Sequence, residues 1–298
     1  IELQDPHPFD KRLDWLVFLR IQKCGTKTLE SIVTKQIRPS ACSRDFFVSP
    51  AADNIACHLF SLCLDELPMV KEQQDNACRL FVEHHCDWED IFNVFDISDS
   101  RVMPITLLRD PVSRVLSEFR HVYKSHKTAW DYCPSMEGSA AFSKQNFLDF
   151  LGNPANHMGM RNRQTRMLAG CGSIQLCFEI YANEREMLET AKRHLLECSV
   201  VGLLERFGDM IVHLNYHFGW EIEEYKIVEE SSDQKQLDWD VDDETRNAIL
   251  EANHLDQKLY EFASALVDYR TEQLRERLGG LPVAVCDYSI CTFVDYHK

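Results

Sequence analysis

Two apolar runs in the chain stop abruptly at polar turns and lead straight into helical patterns. The first run, at about residues 15–20, ends at a turn with one glycine and two lysines, and a helical pattern over Thr28–Gln36 follows at once. The second run, Met103–Leu108, ends at Arg109, and a helix is predicted over about Pro111–Tyr123 because proline is common at the first helical position. Short apolar runs bounded by turns and followed by helices are typical of buried parallel strands.

The rest of the pattern alternates strands with helices. Further apolar runs predict strands at residues 79–82 and 199–204. Apolar residues spaced three and four apart predict helices at residues 140–152, 158–169, 183–197, 206–218 and 243–276. Residues 37–78 have little periodicity, and we expect loops with one short helix there. This alternation predicts an α/β fold with a mainly parallel sheet flanked by helices and additional helices in the C-terminal half.

The chain is long enough for one large domain. It has 298 residues, of which 45% are hydrophobic, and its prolines and glycines are scattered rather than gathered into a linker. We expect an N-terminal arm at residues 1–12, a single domain at residues 13–276 and a C-terminal tail at residues 277–298. No run of eighteen apolar residues occurs, and the chain begins with Ile1. A removed N-terminal signal or membrane anchor is therefore expected, although a numbering choice or tag removal fits as well.

Charge is distributed unevenly along the chain. The formal net charge is −16, which repels nucleic acid and anionic membranes, so neither is expected as a partner. Between Glu221 and Glu244 there are eleven acidic residues against two lysines. Between Arg109 and Lys127 there are five basic residues against two acidic ones. An anionic ligand is therefore expected on the Arg109–Lys127 stretch.

The cysteine content points to an oxidising compartment. Twelve cysteines are present, and none has the C-x-x-C spacing of a zinc site, so no metal is expected and disulfides are favoured. The absence of any Asn-x-Ser/Thr sequon is an observation against the secretory interpretation. Candidate local disulfides are Cys57–Cys63, Cys171–Cys177 and Cys286–Cys291.

The turn after the first strand has the outline of an anion-binding loop. The N–H groups that open a helix lack intrahelical partners and carry partial positive charge, and Lys23 adds a full charge at the same place. A Walker A sequence is absent, which disfavours a P-loop kinase. The loop by itself is a weak signal, and a second anion-binding element is needed to strengthen it.

Arg-Asp-Pro at the end of the second strand, with Ser117 eight residues after Arg109, is such an element. Together with Asn162–Ala169 and Asn253–Tyr260, the stretch Ile105–His121 resembles the glycosaminoglycan sulfotransferases, especially the heparan sulfate 6-O-sulfotransferases. The loop at Lys23 is closer to the uronyl 2-O enzyme. The resemblance implies a P-loop-like sulfotransferase fold. It also implies transfer of a sulfuryl group from 3′-phosphoadenosine 5′-phosphosulfate (PAPS) to a sugar hydroxyl, with PAP as product.

The resemblance also implies roles for particular residues. Lys23 is expected to act in catalysis as well as in binding, because charge develops on the departing phosphate oxygen. Arg109 and Ser117 are expected to hold the 3′-phosphate, and Lys235 the adenosine side. The cradle for the 5′-phosphosulfate is expected to consist of Lys23, Cys24, Gly25, Thr26, Lys27 and Thr28.

For the acceptor side, His85 is the expected general base, since His85-Cys-Asp-Trp88 resembles the His-Ala-Asp-Trp of the 6-O enzymes. An imidazole suits this task because its unperturbed pKa is about 6.5. His84 is the alternative base and otherwise an acceptor contact. The other expected acceptor contacts are His121, Trp130, Asn162, Arg163, Gln164 and Arg166.

Three interpretations of function stay open at this level. The first is a sulfotransferase that acts on a glycosaminoglycan-type acceptor in the Golgi lumen, as a type II membrane protein whose anchor lies outside this chain; a cytoplasmic location is an alternative. The second is a PAPS-dependent enzyme with a less charged acceptor, such as a neutral glycan, a tyrosine or a small hydroxylated metabolite, which the charge of −16 favours. The third is an inactive PAP-binding homologue. The sequence indicates no oligomeric state.

Overall fold

The computed structural model describes residues 5–10, 13–37, 80–83, 86–93, 95–124, 143–172, 174–227, 240–287 and 290–294. The strands are β1 (Trp15–Leu19), β2 (Leu80–Glu83), β3 (Val102–Leu108), β4 (Val200–Leu203), β5 (Glu224–Lys226), β6 (Val283–Asp287) and β7 (Ile290–Val294). The longer helices are α1 (Thr26–Ile37), α3 (Pro111–Lys124), α4 (Lys144–Gly152), α8 (Glu184–Glu197), α9 (Phe207–Phe218), α10 (Asp243–Ala252) and α11 (His254–Leu278). The short helices are α2 (Trp88–Phe92), α5 (His157–Met160), α6 (Arg163–Ala169) and α7 (Ile174–Ile180).

A four-stranded parallel sheet forms the centre of the fold. Its strand order is β2-β1-β3-β4, and Leu19 at the end of β1 pairs with Glu83 on one side and Thr106 on the other. Every residue of β1 and β3 is buried, as is typical of strands covered on both faces. Because the strands are parallel, their carboxyl ends and the loops that follow them lie along one edge. The predicted α/β class and parallel sheet are confirmed.

Each face of the sheet has its own hydrophobic core. Trp15, Val17 and Leu19 of β1 belong to one cluster, whereas Leu16 and Phe18 belong to the other. This alternation follows from the period of two in a strand. The four predicted strands of this sheet are all present, with boundaries within one or two residues of the prediction.

Two predicted helices are each broken in two by an asparagine, and the breaks contact each other. The Asn162 N–H donates to Asn253 Oδ1 (2.9 Å), while Asn162 Oδ1 accepts from the Asp256 N–H (3.3 Å). The fully buried Asp256 carboxylate accepts from the N–H groups of Gln164 (3.2 Å) and Thr165 (2.8 Å). We call this contact the helix joint. It completes the N-termini of α6 and α11, whose unpartnered N–H groups would otherwise be costly to bury.

The sequence predicted one continuous helix over residues 158–169 and another over 243–276. Both predictions were wrong in this respect, because each range contains two helices. Asn162 has a φ of 45°, and Asn253 has φ −127° and ψ 33°, so neither residue continues a helix. Helix α7 was not predicted at all. The expected short helix within residues 37–78 lies outside the described residues.

The chain ends add a second, smaller sheet and a docked segment. Strands β5, β7 and β6 form an antiparallel sheet, and the Cys286–Cys291 disulfide joins β6 to β7. At the other end, the Phe9 N–H donates to the Phe218 carbonyl (3.0 Å). The predicted Cys171–Cys177 disulfide is also present, whereas Cys57 and Cys63 lie outside the described residues. The division into arm, domain and tail stays a prediction.

Candidate functional site

The loop between β1 and α1 turns through two left-handed residues. Lys23 has a φ of 67° and Gly25 a φ of 74°, on either side of the buried Cys24. A Cβ atom on Gly25 would lie 2.3 Å from Leu204 Cδ1, at the end of β4. Position 25 therefore needs glycine for both its backbone conformation and its space. We call residues 21–28 the cradle loop.

Arg20 fastens the cradle loop to the first turns of α1. This arginine is only 4% exposed, and its Nε donates to Thr26 Oγ1 (3.0 Å) while its guanidinium pairs with Glu30 (3.0 Å). The residue directly before the loop is thus tied to the helix that follows it. Arg20 was not among the predicted site residues, although a basic residue directly after a buried strand was a usable signal.

The second predicted anion-binding element touches the first. Arg109 directly follows β3, and its Nη1 donates to the Lys23 carbonyl (3.0 Å). Its Nε is buried and has no hydrogen-bond partner among the described residues. A buried donor without a partner is costly, so we expect a bound ligand or water to supply its acceptor. The cradle loop and the end of β3 therefore form one site.

Gln164 joins the two elements through its side-chain amide. Its Oε1 accepts from the Arg109 N–H (2.9 Å) and from the Cys24 thiol (3.4 Å), and its Nε2 donates to the Arg109 carbonyl (2.9 Å). Burial raises the pKa of Cys24 to about 12, so the thiol keeps the proton that it donates. Gln164 is 1% exposed, and its described contacts are with the site's framework.

One face of α3 extends the site away from Arg109. Asp110 caps this helix by accepting from the Ser113 N–H (2.8 Å). Ser117 and Arg120 are half-buried and three residues apart, so they lie on the same face. Burial lowers the pKa of Arg120, and the charge of Arg109 adds to this effect, which indicates that the two guanidinium groups are near each other. Arg120 was missed in the sequence analysis, although its spacing from Ser117 was a signal.

Acidic side chains border the site on the β4 side. Glu205 follows β4, accepts from the Asp110 N–H (3.1 Å) with one oxygen and accepts from the Tyr260 hydroxyl (2.9 Å) with the other. Burial and this hydrogen bond to Glu205 raise the pKa of Tyr260. The end of β4 is thereby tied both to the start of α3 and to α11.

The segment after β2 is firmly anchored where it is described. Cys86 is buried, and Asp87 caps α2 while its Oδ2 accepts from the Gly172 N–H (2.6 Å). Burial, together with the nearby Asp90 charge, raises the pKa of Asp87 to about 6. Trp88 stacks on His194 with the ring centroids 4.3 Å apart. The two residues before this segment, His84 and His85, lie outside the described residues.

Comparisons with known proteins agree with this geometry. A model described as "Sulfotransferase family" matches residues 7–263. The chain belongs to this family.

The similar curated proteins have one description in common. The chain is 30% identical to heparan-sulfate 6-O-sulfotransferase 1 of Homo sapiens, with 92% of this chain and 71% of the relative covered. It is 29% identical to heparan-sulfate 6-O-sulfotransferase 1-B of Danio rerio (86% and 67%) and 28% identical to heparan-sulfate 6-O-sulfotransferase 2 of Gallus gallus (89% and 69%). The family resemblance is thereby confirmed, and PAPS is the sulfuryl donor of sulfotransferases.

The predicted site residues fall into three groups. The cradle loop, Arg109 and Gln164 are in mutual contact, and Ser117 and His121 lie on the adjoining helix α3. Three residues predicted as acceptor contacts lie elsewhere around α6, and the structure describes their hydrogen bonds. The predicted residues outside the described part of the chain are His84, His85, Trp130 and Lys235.

The three residues near α6 that were predicted to contact the acceptor have different neighbours. Asn162 belongs to the helix joint, and Arg163 Nη1 donates to the Met158 carbonyl (3.2 Å). Arg166 is 2% exposed, and its guanidinium donates to the carbonyls of Arg161 (3.1 Å), Met158 and Gly172. Burial and the charge of Arg163 lower the pKa of Arg166 to about 9. Their predicted roles toward an acceptor stay predictions.

The part of the chain that the structure describes contains neither a metal-binding cluster nor a membrane-spanning helix. No group of three or more histidine, cysteine, aspartate or glutamate side chains within them has an arrangement that could hold a metal ion. None of the described helices has both the length and the apolarity needed to cross a bilayer.

Proposed function

We propose that the chain transfers the sulfuryl group of PAPS to a hydroxyl of a glycosaminoglycan-type acceptor. The observation that carries the proposal is the 3.0 Å hydrogen bond from Arg109 Nη1 to the Lys23 carbonyl, which joins two anion-binding elements at one edge of the sheet. Family membership supports the reaction class. The names of the relatives, which are heparan-sulfate 6-O-sulfotransferases, support the acceptor class.

The residues of the site fit a donor with negative charge at two points. Gly25 has a left-handed backbone and packs directly against Leu204, which holds the shape of the cradle loop, and Arg109 Nε lacks a partner among the described residues. Lys23, with the start of α1, would hold the 5′-phosphosulfate. Arg109 and Ser117 would hold the 3′-phosphate, and Arg120 adds a second guanidinium beside them.

The protein's contribution to the reaction is charge stabilisation and proton removal. PAPS supplies an activated sulfuryl group, and its leaving group is a phosphate. The Lys23 ammonium would stabilise the negative charge that grows on that phosphate oxygen. His85 would accept the proton of the acceptor hydroxyl, with His84 as the alternative base. Lys235 would contribute on the adenosine side.

The assignment of the base draws on its neighbours in the chain. β2 ends at Glu83 beside the carboxyl end of β1, and the chain is anchored again at Cys86 and Asp87. His84 and His85 are the two residues between these anchored positions in the sequence. Their place directly after a strand of the parallel sheet supports a base on this segment.

Transfer of label from radiolabelled PAPS to a panel of glycans tests the proposed reaction directly. We expect label on sulfated or carboxylated glycans of the heparan type. No transfer to any acceptor by protein that is folded and binds PAP would overturn the glycan claim. A titration in which PAP does not bind at all would instead favour an inactive homologue.

Two single variants test the base. His85→Ala is expected to lower turnover by about 10²–10⁴-fold, the usual contribution of general base catalysis, while PAP affinity stays unchanged. His84→Ala is the matched control and should retain most of the turnover. If His84→Ala has the larger effect, the assignment of His85 is wrong.

A less charged acceptor is the second candidate, because the net charge of −16 opposes a polyanion. The two candidates differ in their response to salt. Binding of a polyanionic glycan should weaken steeply as ionic strength rises, since opposite charges are screened. A salt-independent KM for the best acceptor would favour a neutral glycan, a tyrosine or a small hydroxylated metabolite.

For the compartment, we infer an oxidising secretory lumen such as the Golgi. The disulfides Cys171–Cys177 and Cys286–Cys291 support this inference, because disulfides persist in oxidising compartments. A membrane anchor outside the present chain is part of the same proposal. Expression of the full-length protein with a fluorescent tag would test the location by microscopy.

A further inference from the structure

A cavity of about 700 Å³ lies beside α6 and is separate from the contacts that Gln164 makes with the cradle loop. Arg166 lines this cavity, and two residues along a helix correspond to about 200° of rotation. Gln164 and Arg166 therefore lie on opposite faces of α6. The cavity is thus about one helix diameter, roughly 10 Å, from the cradle loop. Its volume is within the range of small-molecule sites.

One wall of the cavity is rich in cations. It includes Arg161 and Arg166, and Arg185 lies on the wall contributed by α8. His157 also lines the cavity, but burial and the charge of Arg161 lower the pKa of this histidine. The guanidinium of Arg166 donates to backbone carbonyls, so carbonyl dipoles rather than a carboxylate offset its charge in these contacts. The guanidinium charges of Arg161, Arg166 and Arg185 favour an anionic ligand.

The opposite wall combines carboxylates with aromatic surface. Glu184 is hydrogen-bonded to His254 (2.9 Å) at the rim, and Glu251 also lines the cavity. Phe178 on α7 is 75% exposed, and Tyr181 lies beside it in the cavity lining. The Cys171–Cys177 disulfide fastens the start of this segment to the end of α6, which limits how far Phe178 can move.

The combination of three arginines and an exposed aromatic ring matches one ligand chemistry well. A sugar ring offers an apolar C–H face to an aromatic side chain and hydroxyls at its edge, and an acidic sugar adds a carboxylate or sulfate for arginine. A purely apolar ligand would make no use of the arginine charges, and a free inorganic anion would make no use of Phe178.

We propose that this cavity binds an acidic saccharide unit of the glycan acceptor, remote from the reacting hydroxyl. Arg161 and Arg185 contact its carboxylate or sulfate, and Phe178 packs against its ring. The identity of the occupant as part of an acceptor rests on the proposed sulfotransferase function. The cavity thereby provides binding energy that the strongly acidic remainder of the surface does not.

The test is a calorimetric titration of the protein with a heparan-type octasaccharide and with an uncharged octasaccharide. In the double variant Arg161→Gln/Arg185→Gln we expect affinity for the acidic octasaccharide to fall about tenfold or more. PAP affinity and turnover of a short acceptor should stay unchanged. Arg193→Gln is the matched control, because Arg193 is exposed on the same helix as Arg185 and does not line the cavity. Arg185→Gln/Phe178→Ser is a second variant, built only from exposed residues.

The inference is overturned if both cavity variants bind the acidic octasaccharide as the Arg193→Gln control does. It is also overturned if the native protein binds the uncharged octasaccharide equally well, or binds neither. Because binding is measured without turnover, the result is separate from the fate of the proposed function. A native protein that binds the octasaccharide at the cavity but transfers no sulfuryl group would contradict the function and leave the cavity assignment standing.

Discussion

Helices α1 and α6 both begin next to residues that the sequence analysis assigned to the site, but their N-termini are completed differently. At α6, the buried Asp256 carboxylate accepts from the Gln164 and Thr165 N–H groups. At α1, the first turn contains no acidic residue, and Lys23 and Lys27 lie on either side of the helix start. The protein supplies its own anion at one helix and concentrates cations at the other.

The comparison distinguishes a helix N-terminus that stabilises the fold from one that can bind a ligand. Partial positive charge exists at the start of every helix, and an internal carboxylate satisfies it permanently. Cations placed at the same point add to this positive charge and favour the binding of an anion there. The helix joint therefore stabilises the fold, and the cradle loop is the stronger candidate for binding the donor.

The largest expected effect is at the cradle loop. Lys23→Ala should lower turnover by about 10²–10³-fold, because a charge that stabilises the leaving phosphate oxygen is removed. The melting temperature should change little. Lys35→Ala is the control for loss of charge alone, because Lys35 is exposed in the last turn of α1, the helix that follows the cradle loop. Equal turnover in the two variants would remove the cradle loop from catalysis.

Removal of the internal carboxylate at the helix joint should lower the free energy of unfolding. Asp256→Ala leaves two N–H groups and the Thr165 hydroxyl without their acceptor, so we expect a loss of about 3 kcal/mol in the free energy of unfolding. Urea unfolding followed by circular dichroism measures this loss. Glu276→Ala, at an exposed position on the same helix, should have almost no effect. If Asp256→Ala is as stable as this control, the joint does not hold the helices.

A third change tests whether the cradle loop needs its backbone shape. Gly25→Ala combines a φ of 74° with a Cβ atom 2.3 Å from Leu204 Cδ1, and we expect a loss of about 1–3 kcal/mol in stability together with weaker PAP binding. The double variant Gly25→Ala/Leu204→Ala removes the steric part and should bind PAP more tightly than Gly25→Ala. No difference between them would assign the whole effect to backbone strain.

The smallest expected effect concerns a second internal carboxylate at a helix start, Asp87 of α2. Burial raises its pKa from 3.8 to about 6, so the folded state binds the proton more tightly than the unfolded state does. The stability contributed by this group is therefore present at about pH 4 and is lost as the pH rises through about 6. Asp87→Asn should remove this dependence.

The measurement compares the native protein with the Asp87→Asn variant at pH 5 and pH 7. The difference in their free energies of unfolding should be about 1 kcal/mol larger at pH 5. Such a double difference cancels the contribution of the buried histidines, which titrate in both proteins. The same difference at both pH values would show that this carboxyl is ionised throughout, like an exposed helix cap.

The features that could be predicted from the sequence are those that depend on residues close together in the chain. The strands of the parallel sheet, the helix at Pro111 and the disulfides Cys171–Cys177 and Cys286–Cys291 depend on residues fewer than about twenty positions apart. Local periodicity and proline position report such elements directly. Linked strand-turn-helix motifs were also enough to predict the sulfotransferase fold.

The features that were missed depend on contacts between distant segments. Gln164 is 140 residues from Cys24 and 55 from Arg109, and Asn162 is 91 residues from Asn253. The spacing of apolar residues does not show whether an asparagine continues a helix or interrupts it to cap another helix. The breaks at Asn162 and Asn253 could therefore not be predicted.

The sequence was therefore enough to predict the four strands of the parallel sheet, most of the helices, the resemblance to the sulfotransferases and the residues that can carry charge at the ends of β1 and β3. Only the tertiary structure decided how those residues are used. In the folded protein Gln164 contacts the cradle loop, Arg166 lines a separate cavity, and the Asp256 carboxylate caps α6. The physical reason is that a side chain's periodicity specifies its face of a helix, whereas its partner is selected by packing between segments far apart in the chain.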